Sequence, residues 1–301
     1  SQAMTGSGIE DSDAGSQSAE ETAETESTEQ TGSDFEGNTE QIETDAGQEE
    51  TQNPYIRQKE PYTGVPVYEN LEHIYMNTTW EYADHSAISD GYAVLYKASG
   101  QRKNIVVGVN AGHGTAGGSA VRTLCHPDGS LKSTGGSTAA GAATATAVSG
   151  GMTFYDGTPE SEVTLKMAEI LRDKLLLEGY DVLMIRDSSD VQLDNVARTV
   201  ICNNVADCHI SLHWDGDGLS YDKGCFYIAV PDAIKNMSPV ADHRQQHDSL
   251  GASLVDGLRG QGAKIHGSGS MAIDLTQTSY STVPSVDMEL GNASSDHSDE
   301  T

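Results

Sequence analysis

His113 ends an apolar run, Asn104-Ile-Val-Val-Gly-Val-Asn-Ala-Gly-His-Gly114, and its two flanking glycines suit a chain built to present an imidazole. A second apolar run, Ile210-Ser-Leu-His213, also stops at a histidine, and Thr158-Pro-Glu-Ser-Glu-Val-Thr-Leu165 places the carboxylate of Glu160 at a helix start. Two imidazoles and one carboxylate are a ligand set suited to a catalytic zinc that keeps a fourth position open for water. Taken singly, each residue has a plainer reading. A strand-end histidine is more often a hydrogen-bonded structural residue, and an acid in a first helical turn complements the helix dipole. A shared cation is the one explanation common to all three. In Pro284-Ser-Val-Asp-Met-Glu-Leu-Gly291 the alternation puts Val286 and Met288 on one face and Asp287 and Glu289 on the other. Such a strand could simply have a solvated face, but a glutamate near its carboxyl end is also where a general base, later a general acid, would stand.

The elements that must carry these residues follow from periodicity. Tyr92 to Tyr96 reads as an edge strand and Ile105 to Asn110 as a buried one. Thr115 to Gly157, rich in Gly, Ala, Ser and Thr, reads as an irregular insertion, and a long loop in a compact domain is more often functional than idle. Thr158 is the expected N-cap and Pro159 the first helical position, with Val163, Met167, Ile170, Leu171 and Leu175 at helical spacing and Gly179 as the stop. Asp181 to Ile185 is a strand, Leu193 to Val205 a helix with Leu193, Ala197, Val200 and Ile201 inward, and Cys208 to Leu212 a strand. Gly224 to Val230 reads as a strand, Asp248 to Leu258 as a helix and Pro284 to Leu290 as the final strand. Strands alternating with helices predict an α/β fold, a single domain with a mostly parallel twisted sheet flanked by helices. Ligands of such sheets collect at the carboxyl ends of strands, where His113 and His213 both fall.

The motifs in this order resemble the zinc-dependent N-acetylmuramoyl-L-alanine amidases of bacterial cell walls, the amidase type 3 family. Gly112-His113-Gly114 is similar to the family's opening motif, Glu160 to Leu165 to its Glu-x-x-x-x-Leu helix start, Ser211-Leu212-His213 to its strand motif, and Met288-Glu289-Leu290-Gly291 to its closing one. Arg186-Asp187, Arg198 and Asn203 match in type and order. The resemblance covers roughly Asn104 to Asn292. It implies that His113, Glu160 and His213 bind zinc, that Glu289 is the catalytic glutamate, and that the substrate is peptidoglycan, cut between N-acetylmuramic acid and L-alanine. The alternatives are a zinc peptidase or amidohydrolase of similar fold acting on soluble muropeptides or acylated amino acids, and a non-catalytic wall-binding module, against which Glu289 argues. The separation of His113 from Glu160, 160 − 113 = 47 positions, exceeds the family's usual spacing, and the family's helix after the glutamate motif has no counterpart.

Composition bounds the rest. The formal charge is −29 over 301 residues. Ser1 to Glu50 holds fifteen Asp and Glu, no Lys or Arg and a single aromatic, Phe35, so residues 1–60 are expected to be an acidic disordered tail or spacer. The rest, −29 + 15 = −14, is still acidic, which argues against nucleic acid as a partner. Residues 61–301 are then the catalytic domain, long enough for a proper core. No apolar stretch approaches the roughly 20 residues of a transmembrane helix. A monomer is expected, secreted or tethered at a bacterial surface. Cys125, Cys202, Cys208 and Cys225 form no Cys-x-x-Cys pair and read as buried thiols. His243 and His247, one helical turn apart without the Glu of a His-Glu-x-x-His motif, read as a polar helix face, and Trp214 as either a groove-lining or a packed aromatic.

Overall fold

The computed structural model describes residues 68–298, so the expected tail at 1–60 lies outside the described residues. An eight-stranded sheet forms the centre. Its strands are β1 (Tyr68–Tyr75), β2 (Tyr92–Ala98), β3 (Val106–Ala111), β6 (Asp181–Met184), β7 (Cys208–Asp215), β8 (Cys225–Ala229), β9 (Ile265–Ala272) and β10 (Ser285–Asn292), in the order β1-β2-β6-β3-β7-β10-β8-β9. The middle four, β6, β3, β7 and β10, are mutually parallel, whereas β2 runs antiparallel to β6 and β8 antiparallel to β10. A second, two-stranded sheet, β4 (Arg122–Leu124) with β5 (Thr144–Thr146), lies in the insertion.

Among the described residues four α-helices cover the sheet. Helices α1 (Glu160–Leu177) and α3 (Val240–Gly260) pack on one face, over Val107, Val109, Ala111, Ile210, Leu212, Val286 and Met288. Helix α2 (Asn195–Val205) covers Ala93, Leu95, Leu183 and Ile185 on the opposite face, where α4 (Thr276–Tyr280) joins it. Burial on both faces is why β3 and β6 read as near-continuous apolar runs. Gly108 has a packing reason within β3: a Cβ there would stand 2.7 Å from Cys202 Sγ of α2 and 3.0 Å from the Cys208 carbonyl.

Several boundaries differ from the sequence expectation. Tyr92–Ala98 is not an edge strand, because β1 pairs outside it. Pro159, in an extended conformation, is itself the N-cap residue, and Glu160 is the first helical position. The chain is held extended there by the bridge of Thr153 to Pro159. Asp194 rather than Leu193 opens α2: its Oδ1 accepts from the Ala197 amide at 2.8 Å, and its Oδ2 accepts from the amides of Ala87 and Ile88. Helix α3 starts eight residues before Asp248, since its first two turns are polar and carry no apolar period. His247 is not part of a solvated face. It is buried, and its Nδ1 accepts the Ser285 amide at 2.9 Å, fixing the start of β10 to α3. The cysteines are free thiols, three of them buried.

Candidate active site

The site is built at the carboxyl ends of β3, β7 and β10. His113 follows β3 in a left-handed conformation, φ 65°, and two buried arginines hold that turn. Arg186 donates to the carbonyls of Ala111, Gly112 and Ser161, and Arg198 to those of Ala111 and His113 and to Asn110 Oδ1. Arg186 and Arg198, both picked out in the sequence by type and order, therefore have a mechanical role: each brace spans loop and helix with several donors in a fixed geometry.

His113, Glu160 and His213 converge. His113 Nε2 lies 2.8 Å from Glu160 Oε1, His213 Nδ1 lies 3.2 Å from the same oxygen, and the two nitrogens are 3.1 Å apart. His113 Nδ1 stands 2.9 Å from the Ser149 carbonyl, which can only accept, so the neutral ring carries its proton on Nδ1 and turns the Nε2 lone pair toward Glu160. His213 Nε2 faces Asp287 Oδ2 at 3.9 Å, a charge that favours the Nε2 proton, so the neutral form of this ring turns its Nδ1 lone pair the same way. Two lone pairs and a carboxylate oxygen at such separations repel unless a proton or a cation lies among them. Ligands placed tetrahedrally about 2.0–2.1 Å from a zinc stand roughly 3.3 Å apart, close to the separations here. The donor set and its geometry thus fit that ion.

Backbone amides fix the carboxylate. Trp214 N–H donates to Glu160 Oε1 at 3.0 Å and Met152 N–H to Oε2 at 2.8 Å. Burial alone would raise the Glu160 pKa, but its bonds to His113 and His213 hold it well below the ordinary carboxylate range. His213 goes the other way: burial opposes its charge, yet Asp287 and Glu160 push it up to about 10, so in the metal-free protein a proton on His213 Nδ1 lies among these atoms, where a cation would replace it. Asp287 is buried and Glu289 half-buried on the same face of β10; burial raises both, with Glu160 adding to the rise at Asp287 and the Asp287 charge to that at Glu289. Asp287 Oδ1 and Glu289 Oε2 have no hydrogen-bond partner, so the site gathers more carboxylate than the protein's own donors satisfy. As the alternation predicts, both acids face away from Val286 and Met288.

These residues line a cavity of about 610 Å³. The insertion forms one wall of it, through Lys132, Ser137, Thr138, Thr146, Ser149 and Met152, so it borders the site as its position between His113 and Glu160 suggests. Trp214 is buried, packs edge-on against Phe154 at 5.9 Å and also lines the cavity, and its amide holds Glu160. Sequence reasoning did not find Ser149 or Met152, which act through backbone groups, nor did it give Asp287 a place beside His213.

The model of a family described as N-acetylmuramoyl-L-alanine amidase matches residues 107–301. The structure is similar to the N-acetylmuramyl-L-alanine amidase Ami1 of Mycobacterium smegmatis, with TM-score 0.51 and 19% identity over 63% of this chain and 83% of that one. It also aligns with the apo form of Ami1 from Mycobacterium abscessus, with TM-score 0.49 and 21% identity over 63% and 84% of the two chains. No curated protein matches the chain. At 19% identity the likeness to the Mycobacterium smegmatis protein speaks for the fold alone. The family model spans well over half of the sequence and includes His113, Glu160, His213 and Glu289, and the chain belongs to the N-acetylmuramoyl-L-alanine amidase family.

Proposed function

We propose that the protein is a zinc-dependent hydrolase of bacterial peptidoglycan that cuts the amide between N-acetylmuramic acid and L-alanine. His113 Nε2, Glu160 Oε1 and His213 Nδ1 are the proposed ligands, and Glu289 is the catalytic glutamate. The observation that carries the reading is the convergence of three lone-pair atoms within 3.2 Å of one another, beside a buried carboxylate oxygen with no partner. When bound, zinc supplies Lewis acidity toward the substrate carbonyl and lowers the pKa of water.

The chain's own residues do the rest. Ser149 and Asp287 hold the two imidazoles in the tautomers that direct lone pairs inward, and the Met152 and Trp214 amides keep Glu160 from rotating. Glu289, in the same cavity, accepts a proton from the attacking water as the carbon–oxygen bond forms at the lactyl carbonyl. It returns that proton to the nitrogen of L-alanine as the carbon–nitrogen bond breaks.

The family and its substrate argue for an extracytoplasmic place, secreted or surface-tethered in a bacterium, with the catalytic domain at 61–301 acting as a monomer behind the acidic segment 1–60. No helix among the described residues is long and apolar enough to cross a membrane. The wall formed by the insertion also favours a second reading, in which soluble muropeptides or acylated amino acids are the substrates, because a walled cavity suits a small ligand better than a polymer does. Mass spectrometry of digested sacculi tests the assignment: release of intact stem peptides with a free L-alanine amine is expected. Cleavage within the peptide, or of soluble fragments alone, refutes the polymer amidase.

A further inference from the structure

Lys132 belongs to the insertion, not to any of the family motifs, and it lines the same cavity as His113, Glu160, His213 and Glu289. It is 8% exposed. Its ammonium has three protons to donate and one acceptor among the described residues, the backbone carbonyl of Asp274. Burial lowers its pKa, and the nearby Asp274 carboxylate opposes that lowering, although the carboxylate oxygens are engaged elsewhere. His126 Nε2 is 2.8 Å from Oδ1, while the Ser133 amide and hydroxyl donate to Oδ2 at 2.6 and 2.9 Å.

The lysine is held rigidly. Its amide donates to the Ala142 carbonyl at 2.9 Å and its carbonyl accepts from Gly141 at 2.8 Å, and the buried His126–Asp274 pair clamps this part of the insertion to the turn before α4. Elsewhere the cavity lining is anionic, with Asp215, Glu160, Asp287 and Glu289. The other cation in the lining, Arg198, has its donors committed to Leu193, Asn110, Ala111, His113 and Thr115. A buried ammonium with donors to spare, fixed in the wall of a polar cavity, is a receptor for an anion.

We propose that Lys132 is a specificity-determining residue that binds a free carboxylate of the substrate peptide while the scissile amide lies at the His113–Glu160–His213 centre. The proposal rests on the amidase reading. The insertion would thereby bring a cation to a site whose own residues repel an anionic peptide.

The test uses the full chain loaded with zinc and two N-acetylmuramoyl peptides identical except that the peptide carboxyl is free in one and a carboxamide in the other. Both kcat/KM values are measured, together with calorimetric binding of the two corresponding uncapped peptides. Wild type should prefer the free acid by about 10- to 100-fold, mostly through KM. Lys132→Met should bring that ratio close to one and Lys132→Arg should restore it. Lys132→Gln, which can still donate to the Asp274 carbonyl, replaces the Met variant if that one fails to fold. Equal treatment of the two peptides by wild type, or a preference that survives loss of the ammonium, overturns the proposal. Failure to cleave either peptide while the Lys132-dependent binding preference remains would refute the amidase reading and leave the carboxylate subsite standing.

Discussion

Gly112→Ala is the change that asks most directly whether His213 is a ligand. A Cβ on Gly112 would lie 2.3 Å from His213 Cε1 and 2.6 Å from both ring nitrogens. Carbon atoms pack at about 3.5–4.0 Å, so the ring must retreat by more than about 1 Å. A metal site tolerates displacements of about 0.2 Å, several times less. The backbone of Gly112 offers no easier relief, because its amide donates to the Leu212 carbonyl at 3.2 Å and its carbonyl accepts from Thr164 Oγ1 at 2.9 Å and Arg186 Nη2 at 3.0 Å. The imidazole, by contrast, borders a cavity with room to rotate into. The metal ligand should therefore give way while the fold stays.

Two measurements separate those outcomes. Competition with a chromogenic chelator should show zinc affinity lowered by about 100-fold or more, since even the loss of a ligand's outer hydrogen bond costs 10- to 100-fold. Urea unfolding of the metal-free protein should show a stability within about 1 kcal/mol of wild type, as for a change that leaves the core untouched. Wild-type zinc affinity in the variant would remove His213 from the ligand set. A loss of several kcal/mol without metal would show that the backbone moved instead, and the steric reasoning would be wrong.

Glu289→Gln keeps the shape of the side chain but cannot accept a proton, so turnover should fall by about 100-fold or more with zinc content unchanged, measured on one preparation. Full turnover would remove Glu289 from its role. His209 and His247 are buried, and burial lowers their pKa values to about 3 and about 4. Because these folded values lie below the unfolded value of about 6.5, their contribution is present above pH 6.5 and lost as pH falls from there toward 4 and 3. At pH 5 each then costs about 2 kcal/mol relative to pH 7, and His247→Gln should remove about that much from the pH 7 to pH 5 drop in metal-free unfolding free energy; an unchanged drop would contradict it. Replacing residues 120–144 by a short Gly-Ser link, which spares Ser149 and Met152, should leave zinc bound while raising activity on intact sacculi relative to soluble muropeptides. An unchanged ratio would make the insertion a passive wall.

What could be read from the sequence follows from which forces leave a periodic trace. The apolar faces of β3, β7, β10 and α1 are covered by sheet or helix, so their hydrophobic spacing predicts them, and the strand ends that carry His113 and His213 come with them. Elements held by hydrogen bonds leave no such trace. Helix α4 is polar in sequence yet buried, because Gln277 bonds Ser211, Ser285 and the Val286 carbonyl. The first turns of α3 and the Gly- and Ser-rich β9 are equally silent, although His247 and the pairing with β8 fix them. The site divides in the same way. Its ligands are legible as residue types, but their orientation comes from the Ser149 carbonyl, the Met152 amide and the Asp287 carboxylate, and a backbone group has no residue type to read. Ser149 and Met152 belong to the insertion that carries no period at all. The part of the chain least predictable in structure therefore orients two of the three ligands, and a graft of the four motifs alone would bring the right atoms to the sheet edge without fixing where their lone pairs point.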